Sequence, residues 1–181
     1  MKFCPMCGSS QAQAGMTVCR WCDYEDKPIH QLSKQEIDDL MAPYEYEWIE
    51  DGARIIAVKS HRSISLRGAV GIPHFVTEIE ADAFSYCKFL ARIDLPRRLR
   101  SIGDGAFAQC RDLFDVFIPE SVTHLGEDAI DADYIRRVKF EDSSGWVGSN
   151  GEDDLEKYFS RPWFAKMYLR HHYYVSFDKK Q

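Results

Sequence analysis

The sequence between residues 72 and 140 repeats itself three times, as IPHFVTEIEADAFSYCKFLARID (72–94), LPRRLRSIGDGAFAQCRDLFDVF (95–117) and IPESVTHLGEDAIDADYIRRVKF (118–140). The proline near the start of each copy recurs every 23 residues, as do several apolar positions after it. A fixed period of this length is typical of solenoids, in which stacked units share one core. The stretch therefore predicts a repeat architecture of about three turns.

Each copy combines a strand-like part with a more compact part. At the end of the first copy, Ile93 and the adjoining Leu95 lie in the strand-like part, which follows a predicted short helical turn at Ala83 and Phe84. Pro96 and Pro119, at the ends of the first two strands, prevent the pairing from continuing. One unit cannot bury its apolar face alone, so the fold class is a mainly β solenoid with short helices.

The order Ile-Pro, Val, Ile-Gly, Ala-Phe, Cys and Leu in these copies resembles the bacterial leucine-rich repeats of the BspA-like surface-antigen family. The resemblance covers residues 72–140, or 44–140 with the preceding segment. It implies a right-handed solenoid with a parallel sheet, used for protein-protein contact and adhesion and not for catalysis. The chain departs from the pattern at Glu80, where the other copies have glycine, and at Ile130, where they have phenylalanine.

The outward positions of the repeated strands form the candidate interaction surface. If Ile93 and Leu95 point inward, strand alternation turns their neighbours outward in two columns. The first column is Arg92, Asp115 and Arg137, and the second is Asp94, Phe117 and Lys139. The first alternates in sign and can neutralise itself through cross-strand pairs. Two interpretations stay open, a merely solvated face and a binding surface centred on Phe117.

Four cysteines near the N-terminus have the spacing of a metal site. Cys4 and Cys7 form one Cys-x-x-Cys unit, and Cys19 and Cys22 form a second one eleven residues later. Two such turns supply four thiolates for a tetrahedral zinc site, which is closed and therefore structural. Residues 1–27 resemble a zinc ribbon of the short bacterial type. Two disulfides, free thiols and a rubredoxin-like iron site with the same ligands remain alternatives.

The other two cysteines, Cys87 and Cys110, occupy equivalent repeat positions and should stack on successive turns. Small buried thiols that fill the core are the simplest interpretation. A disulfide between them and a share in a metal site are the alternatives.

The segments on either side of the repeats are predicted to cover the two ends of the solenoid. Residues 28–43 form a linker helix that opens with a capping box at Ser33 and Glu36, and residues 44–71 form a capping hairpin. Residues 141–181 form an aromatic C-terminal cap, with a helix that Ser160 caps and Pro162 begins. Terminal repeats need such covers because their outer faces would otherwise be exposed.

Composition narrows the function classes. The 181 residues are 45% hydrophobic with a net charge of -6, and no basic block favours nucleic acid or a membrane surface. No apolar span and no secretory signal are found, so we expect a cytoplasmic protein. No catalytic motif is present, and we expect no enzyme activity.

The main hypothesis is a non-catalytic module that binds an unidentified protein. The alternative is a nucleic-acid-associated adaptor that uses the ribbon, which the balanced charge of the ribbon disfavours.

Overall fold

The computed structural model describes residues 31–50, 52–58, 66 and 68–180, which form a mainly β chain with three short helices. In chain order the elements are α1 (Lys34–Leu40), β1 (Tyr44–Ile49), β2 (Gly52–Val58), β3 (Gly68–Gly71), β4 (Val76–Ile79), β5 (Leu90–Asp94), β6 (Ser101–Ile102), β7 (Asp115–Ile118), β8 (His124–Leu125), β9 (Arg137–Phe140), β10 (Trp146–Gly148), α2 (Glu156–Phe159), α3 (Pro162–His171) and β11 (Phe177–Lys179). Among these residues no helix is long and apolar enough to cross a bilayer.

The strands form two sheets that run along the repeat. The seven-stranded sheet has the order β1-β2-β4-β6-β8-β11-β10, and the four-stranded sheet has the order β3-β5-β7-β9. Each copy contributes one parallel strand to each sheet. In the seven-stranded sheet Ile79 pairs with Ile102, and Ile102 pairs with Leu125. These partners are 23 residues apart, so each copy is one coil of a solenoid, and the predicted fold of about three turns is confirmed.

The apolar positions that recur in the copies form the core. They are at most 3% exposed and comprise Val76, Ile79, Ala83, Leu99, Ile102, Ala106, Val122, Leu125 and Ala129. Phe84 and Phe107, from successive coils, stack with their ring centroids 5.1 Å apart. Ile130 takes the same place in the third coil and is also buried, so the loss of the aromatic ring there leaves the core continuous.

The segment between the two strands of a coil is a run of turns, so the predicted helical turn at Ala83 and Phe84 is wrong. The reason is a left-handed residue at one repeat position, with φ of 58°, 59° and 48° at Asp82, Gly105 and Asp128. A right-handed helix cannot continue through such a residue. The turns bond to the next coil instead, since the Phe84 N–H donates to the Ala106 carbonyl at 2.8 Å.

The carboxyl group of Asp128 gives this turn region a testable pH dependence. Burial, together with the charges of Asp131 and Asp133, raises the pKa of Asp128 to about 6. The folded-state pKa lies above the unfolded value, so the charged carboxylate destabilises the folded state above pH 6. This destabilisation decreases as the pH drops toward 4.

We expect Asp128→Asn to raise the free energy of unfolding at pH 7.5 by about 1 kcal/mol, a figure reduced for partial exposure. Asparagine tolerates left-handed angles, and the advantage should shrink at pH 5. Urea unfolding at both pH values checks this, with Asp82→Asn at the exposed equivalent position as the control. A variant less stable than the wild type at pH 7.5 would contradict the prediction.

The N-terminal side of the solenoid is covered by the predicted hairpin. Strands β1 and β2 pair antiparallel, and β2 joins β4 in parallel, so that the hairpin covers the first coil. Tyr44 of β1 is buried and meets Phe84 edge-on at 5.8 Å. Helix α1 opens with the predicted capping box: the Glu36 N–H donates to Ser33 Oγ at 3.3 Å, and the Ser33 N–H donates to Glu36 Oε2 at 2.7 Å.

The opposite end of the solenoid is covered by the C-terminal segment, referred to here as the C-terminal cap. Strand β11 pairs antiparallel with β8 and with β10, which extends the seven-stranded sheet past the third coil. The sequence analysis predicted neither strand, and Trp146 of β10 is buried. Phe159 lies at the centre of the cap, with ring neighbours Phe140, Trp146, Tyr168 and Phe177.

Helix α3 was predicted to begin after Ser160. In the structure it begins after Arg161. Arg161 has extended backbone angles, whereas Ser160 has helical angles at the end of α2. The Ser160 hydroxyl therefore does not cap α3. Pro162 does occupy the first turn, where its missing N–H has no helical partner to lose.

Cys87 and Cys110 are buried free thiols, which confirms the simplest interpretation. The Cys110 thiol donates to the Phe84 carbonyl at 3.1 Å. Burial raises the pKa of Cys87 to about 11 and that of Cys110 to about 12. Both groups are therefore protonated at neutral pH and fill the core as small apolar residues.

Candidate functional site

The four-stranded sheet presents the two predicted columns on one face. Arg92 pairs in register with Asp115, and Asp115 with Arg137; Phe117 pairs with Lys139 in the next column. The intervening residues Ile93, Val116 and Val138 are buried, as strand alternation requires. The six predicted surface residues therefore lie side by side on adjacent strands.

Charges in the first column are only partly paired across strands. Arg137 donates to Asp115 through Nε at 3.0 Å and through Nη2 as well, and this bidentate contact lowers the pKa of Asp115. Arg92 instead donates to Asp94 Oδ1 on its own strand, through Nε at 3.0 Å and Nη2 at 2.8 Å. The predicted self-neutralisation is thus correct for one cross-strand pair, while Arg92 also binds along its own strand.

The second column contains three different chemical groups. Asp94 is only 9% exposed. Phe117 is half-buried, and so less exposed than the sequence analysis had assumed. The ammonium group of Lys139 lies 5.5 Å from the centre of the Phe117 ring, a cation–π distance. Going across the strands, the column presents an acid, an aromatic ring and a base.

These two columns form a groove of about 410 Å³. All six predicted residues line it, together with Ile93, Val116 and Pro162. Pro162 begins α3, so the C-terminal cap forms one wall of the groove. Pro162 was identified from sequence only as a helix start, because no local signal indicates that α3 lies near the end of β9.

A second exposed feature, which the sequence analysis missed, lies at the corner where the turns enter the four-stranded sheet. Phe89, Phe114 and Tyr134 are 47%, 52% and 40% exposed and come from successive coils. The guanidinium of Arg136 lies 5.0 Å from the Phe114 ring centre, and that of Arg111 lies 5.5 Å from Tyr134. The signal was available, since these aromatic residues directly flank the buried positions Leu90, Leu113 and Ile135.

The C-terminal cap has an aromatic pocket of about 280 Å³, which includes Tyr158, Phe164 and Tyr168. Tyr168 stacks on Tyr158 at 4.4 Å and on His172 at 4.0 Å, so both faces of its ring are covered. Its hydroxyl donates to Glu152 at 2.5 Å. Among the polar groups that line the pocket, the Tyr168 hydroxyl and the Glu152 carboxylate thus bind each other.

Metal ligands are not grouped in the part of the chain that the structure describes, where no set of three or more His, Cys, Asp or Glu side chains could hold an ion. Within the same residues, the His172 Nδ1 lies 2.8 Å from the Tyr168 carbonyl oxygen. The predicted zinc ligands Cys4, Cys7, Cys19 and Cys22 lie outside the described residues.

Two solved structures are similar to this chain. A leucine-rich repeat protein from Bacteroides capillosus is 21% identical with a TM-score of 0.39, and the match covers 55% of this chain and 95% of that one. The leucine-rich repeat protein of T. pallidum is 23% identical with a TM-score of 0.30, over 49% of this chain and 64% of that one. A search of curated protein sequences finds no match.

The repeats also match a known family profile. The profile, described as the BspA type leucine-rich repeat region with six copies, covers residues 48–150. This range includes most of the hairpin, the three coils and the start of the C-terminal cap. Because it exceeds half of the chain, the protein belongs to the BspA-type leucine-rich repeat family.

Proposed function

We propose that this chain is a non-catalytic protein-interaction module whose binding surface is the groove of the four-stranded sheet. The observation that carries the proposal is that all six predicted residues line one groove and that one of them, Phe117, is a half-buried aromatic ring. Aromatic residues and arginines in concave, partly desolvated positions supply most of the binding energy in protein interfaces. Solenoids commonly bind partners on an extended sheet surface.

The charge arrangement favours a protein partner over nucleic acid. Two of the three cations in the groove already bind carboxylates, Arg92 to Asp94 and Arg137 to Asp115. Binding to a phosphate backbone requires several cations that are free to replace counterions. A mixed, largely paired surface is instead typical of the polar part of a protein interface.

Phe117→Ala tests this proposal. We expect affinity capture of the partner from the source cell's extract to fall at least about tenfold, because truncating a central aromatic anchor removes apolar contact area. Phe164→Ala, which changes an exposed ring of the cap, is the matched control and should leave capture unchanged. Quantitative capture by both variants, with equal thermal unfolding midpoints, provides the measurement. Full capture by Phe117→Ala would contradict the proposal.

We also propose that Cys4, Cys7, Cys19 and Cys22 bind one structural zinc ion. The support is their donor chemistry and spacing: two pairs of thiolates, each pair separated by two residues, match a tetrahedral four-sulfur site. A reducing cytoplasm, which is part of this proposal, keeps such thiolates available as ligands. Zinc would stabilise this segment and take no part in a reaction.

Elemental analysis of the chain purified without chelator should find one zinc per chain. Cys19→Ser should lose it, because three thiolates cannot complete the site. Cys110→Ala, which removes a buried thiol in the solenoid, is the control and should retain the metal. Iron at the same stoichiometry would instead support the rubredoxin-like alternative, and metal-free protein would contradict the proposal.

A further inference from the structure

We infer that the groove recognises an extended peptide segment of the partner in which an apolar residue is flanked by one basic and one acidic residue. The inference rests on the proposed function, since it uses the same surface. It comes from the second column, where Asp94 has a carboxylate oxygen without a donor, the Phe117 ring is half-buried, and Lys139 is a cation without an ion pair among the described residues.

Asp94 has one unsatisfied carboxylate oxygen, which is buried beside the groove. Its Oδ1 accepts both hydrogen bonds from Arg92. Its Oδ2 is buried and has no hydrogen-bond partner among the described residues, although the side chain lines the groove. A buried carboxylate oxygen without a donor is energetically unfavourable. An ammonium or guanidinium group of a bound peptide would supply the missing donor once the carboxyl group turns its Oδ2 into the groove.

Lys139 offers the opposite charge at the other end of the column. Within the described part of the chain it makes no ion pair, and its ammonium group contacts the Phe117 ring. Asp115, the other carboxylate of the groove, is already bound by both arms of Arg137. A carboxylate of the bound peptide would therefore meet a cation that no acidic side chain neutralises.

The spacing of these groups suits an extended chain. The register that pairs Arg92 with Asp115 places Asp94 opposite Phe117, and Phe117 pairs with Lys139. Asp94 and Lys139 are thus two strand spacings apart, or about 10 Å. Alternate residues of an extended peptide share one face and are about 7 Å apart. Three alternate residues, basic, apolar and acidic, reach all three groups once their flexible side chains converge.

Three fluorescein-labelled, end-capped peptides test the inference against the full-length chain by fluorescence polarisation. Their sequences are Gly-Lys-Ser-Leu-Ser-Glu-Gly, the same with lysine at both charged positions, and the same with glutamate at both. We expect the mixed-charge peptide to bind at least about tenfold more tightly than either like-charged peptide. Reversing the order of residues is not informative, because a peptide can bind in either direction.

Charge reversal in the groove provides the second arm. Lys139→Glu should switch the preference to the peptide with two lysines, whereas Lys88→Glu, the same charge change at an exposed position outside the groove, should not. Asp94→Asn keeps an acceptor for Arg92 and should reduce the contribution of the basic residue. Lys139 is exposed, so its replacement should leave the unfolding midpoint unchanged.

The outcomes separate this inference from the proposed function. Equal binding of all three peptides that is lost in Phe117→Ala would overturn the mixed-charge inference and leave the interaction surface supported. Absence of peptide binding up to about 1 mM, with partner capture that still depends on Phe117, would also overturn the mixed-charge inference and leave the interaction surface supported. Absence of binding together with capture that ignores Phe117 would overturn both.

Discussion

Replacing Gly126 with alanine is expected to lower the free energy of unfolding by about 3 kcal/mol. A Cβ at this position would lie 2.5 Å from the Asp104 nitrogen and 2.7 Å from the Gly103 carbonyl carbon. Both are backbone atoms of the preceding coil, so no side chain can rotate to make room. The glycine allows the two coils to come within hydrogen-bonding distance, and the Gly126 N–H donates to the Ile102 carbonyl at 2.8 Å.

Gly103 is expected to behave in the same way one coil earlier. Its Cβ would lie 2.5 Å from the Ala81 nitrogen and 2.7 Å from the Glu80 carbonyl carbon. Substitution at either glycine must separate two coils or distort a strand of the seven-stranded sheet. Urea unfolding followed by circular dichroism measures the loss, and a change under about 0.5 kcal/mol for both variants would contradict the close approach of the coils.

Glu80 provides the matched control, because it occupies this repeat position in the first coil. Its neighbour is the hairpin strand β2, and its side chain reaches Arg54 at 3.1 Å. Glu80→Ala keeps a Cβ where one is already accommodated and removes one exposed ion pair. The free energy of unfolding should therefore fall by no more than about 1 kcal/mol. The exception to the glycine pattern thus has a structural cause, since the first coil meets a hairpin and not another coil.

The sequence was most informative where residues repeat. The 23-residue period predicted the coils, the buried positions and the two outward columns, because equivalent residues of stacked units must face the same way. The same reasoning placed Phe117 beside Lys139, a contact now seen at 5.5 Å. Six of the nine residues that line the groove could therefore be named in advance.

Features that depend on non-repeating contacts could not be predicted. Strands β10 and β11 are three residues long and form only because they pair with each other and with β8. Pro162 reaches the groove because α3 packs near β9. Arg92 binds Asp94 on its own strand because of side-chain geometry, which a column of alternating charges does not specify.

The turn segments show a different kind of error. Ala83 and Phe84 have compact, apolar surroundings that favour a helical turn, but Asp82 adopts a left-handed conformation just before them. Aspartate tolerates this conformation more readily than most residues, so a single sequence position does not reveal it. The recurrence of Asp, Gly and Asp at one repeat position was the available signal.

Phe159→Ala is expected to destabilise the protein by about 3–5 kcal/mol. Its ring is buried, stacks on Phe140 at 4.3 Å, and meets Trp146 and Phe177 edge-on at 6.0 Å and 5.7 Å. Truncation would leave a cavity between the cap and the last coil. Phe164→Ala, which removes a ring that is 45% exposed on the next helix, should cost less than about 1 kcal/mol.

Hydrogen exchange of Phe159→Ala would show how the cap is coupled to the coils. Phe140 belongs to β9, and β11 of the cap pairs with β8, so the third coil shares both its core and its sheet with the cap. We therefore expect faster exchange in β8 and β9 as well as in the cap. Because each coil of a solenoid is stabilised mainly by its neighbours, loss of the third coil should weaken the second and disturb the groove. Faster exchange confined to residues 141–180 would instead make the cap an independent appendage, and the wall that Pro162 contributes would not depend on the coils.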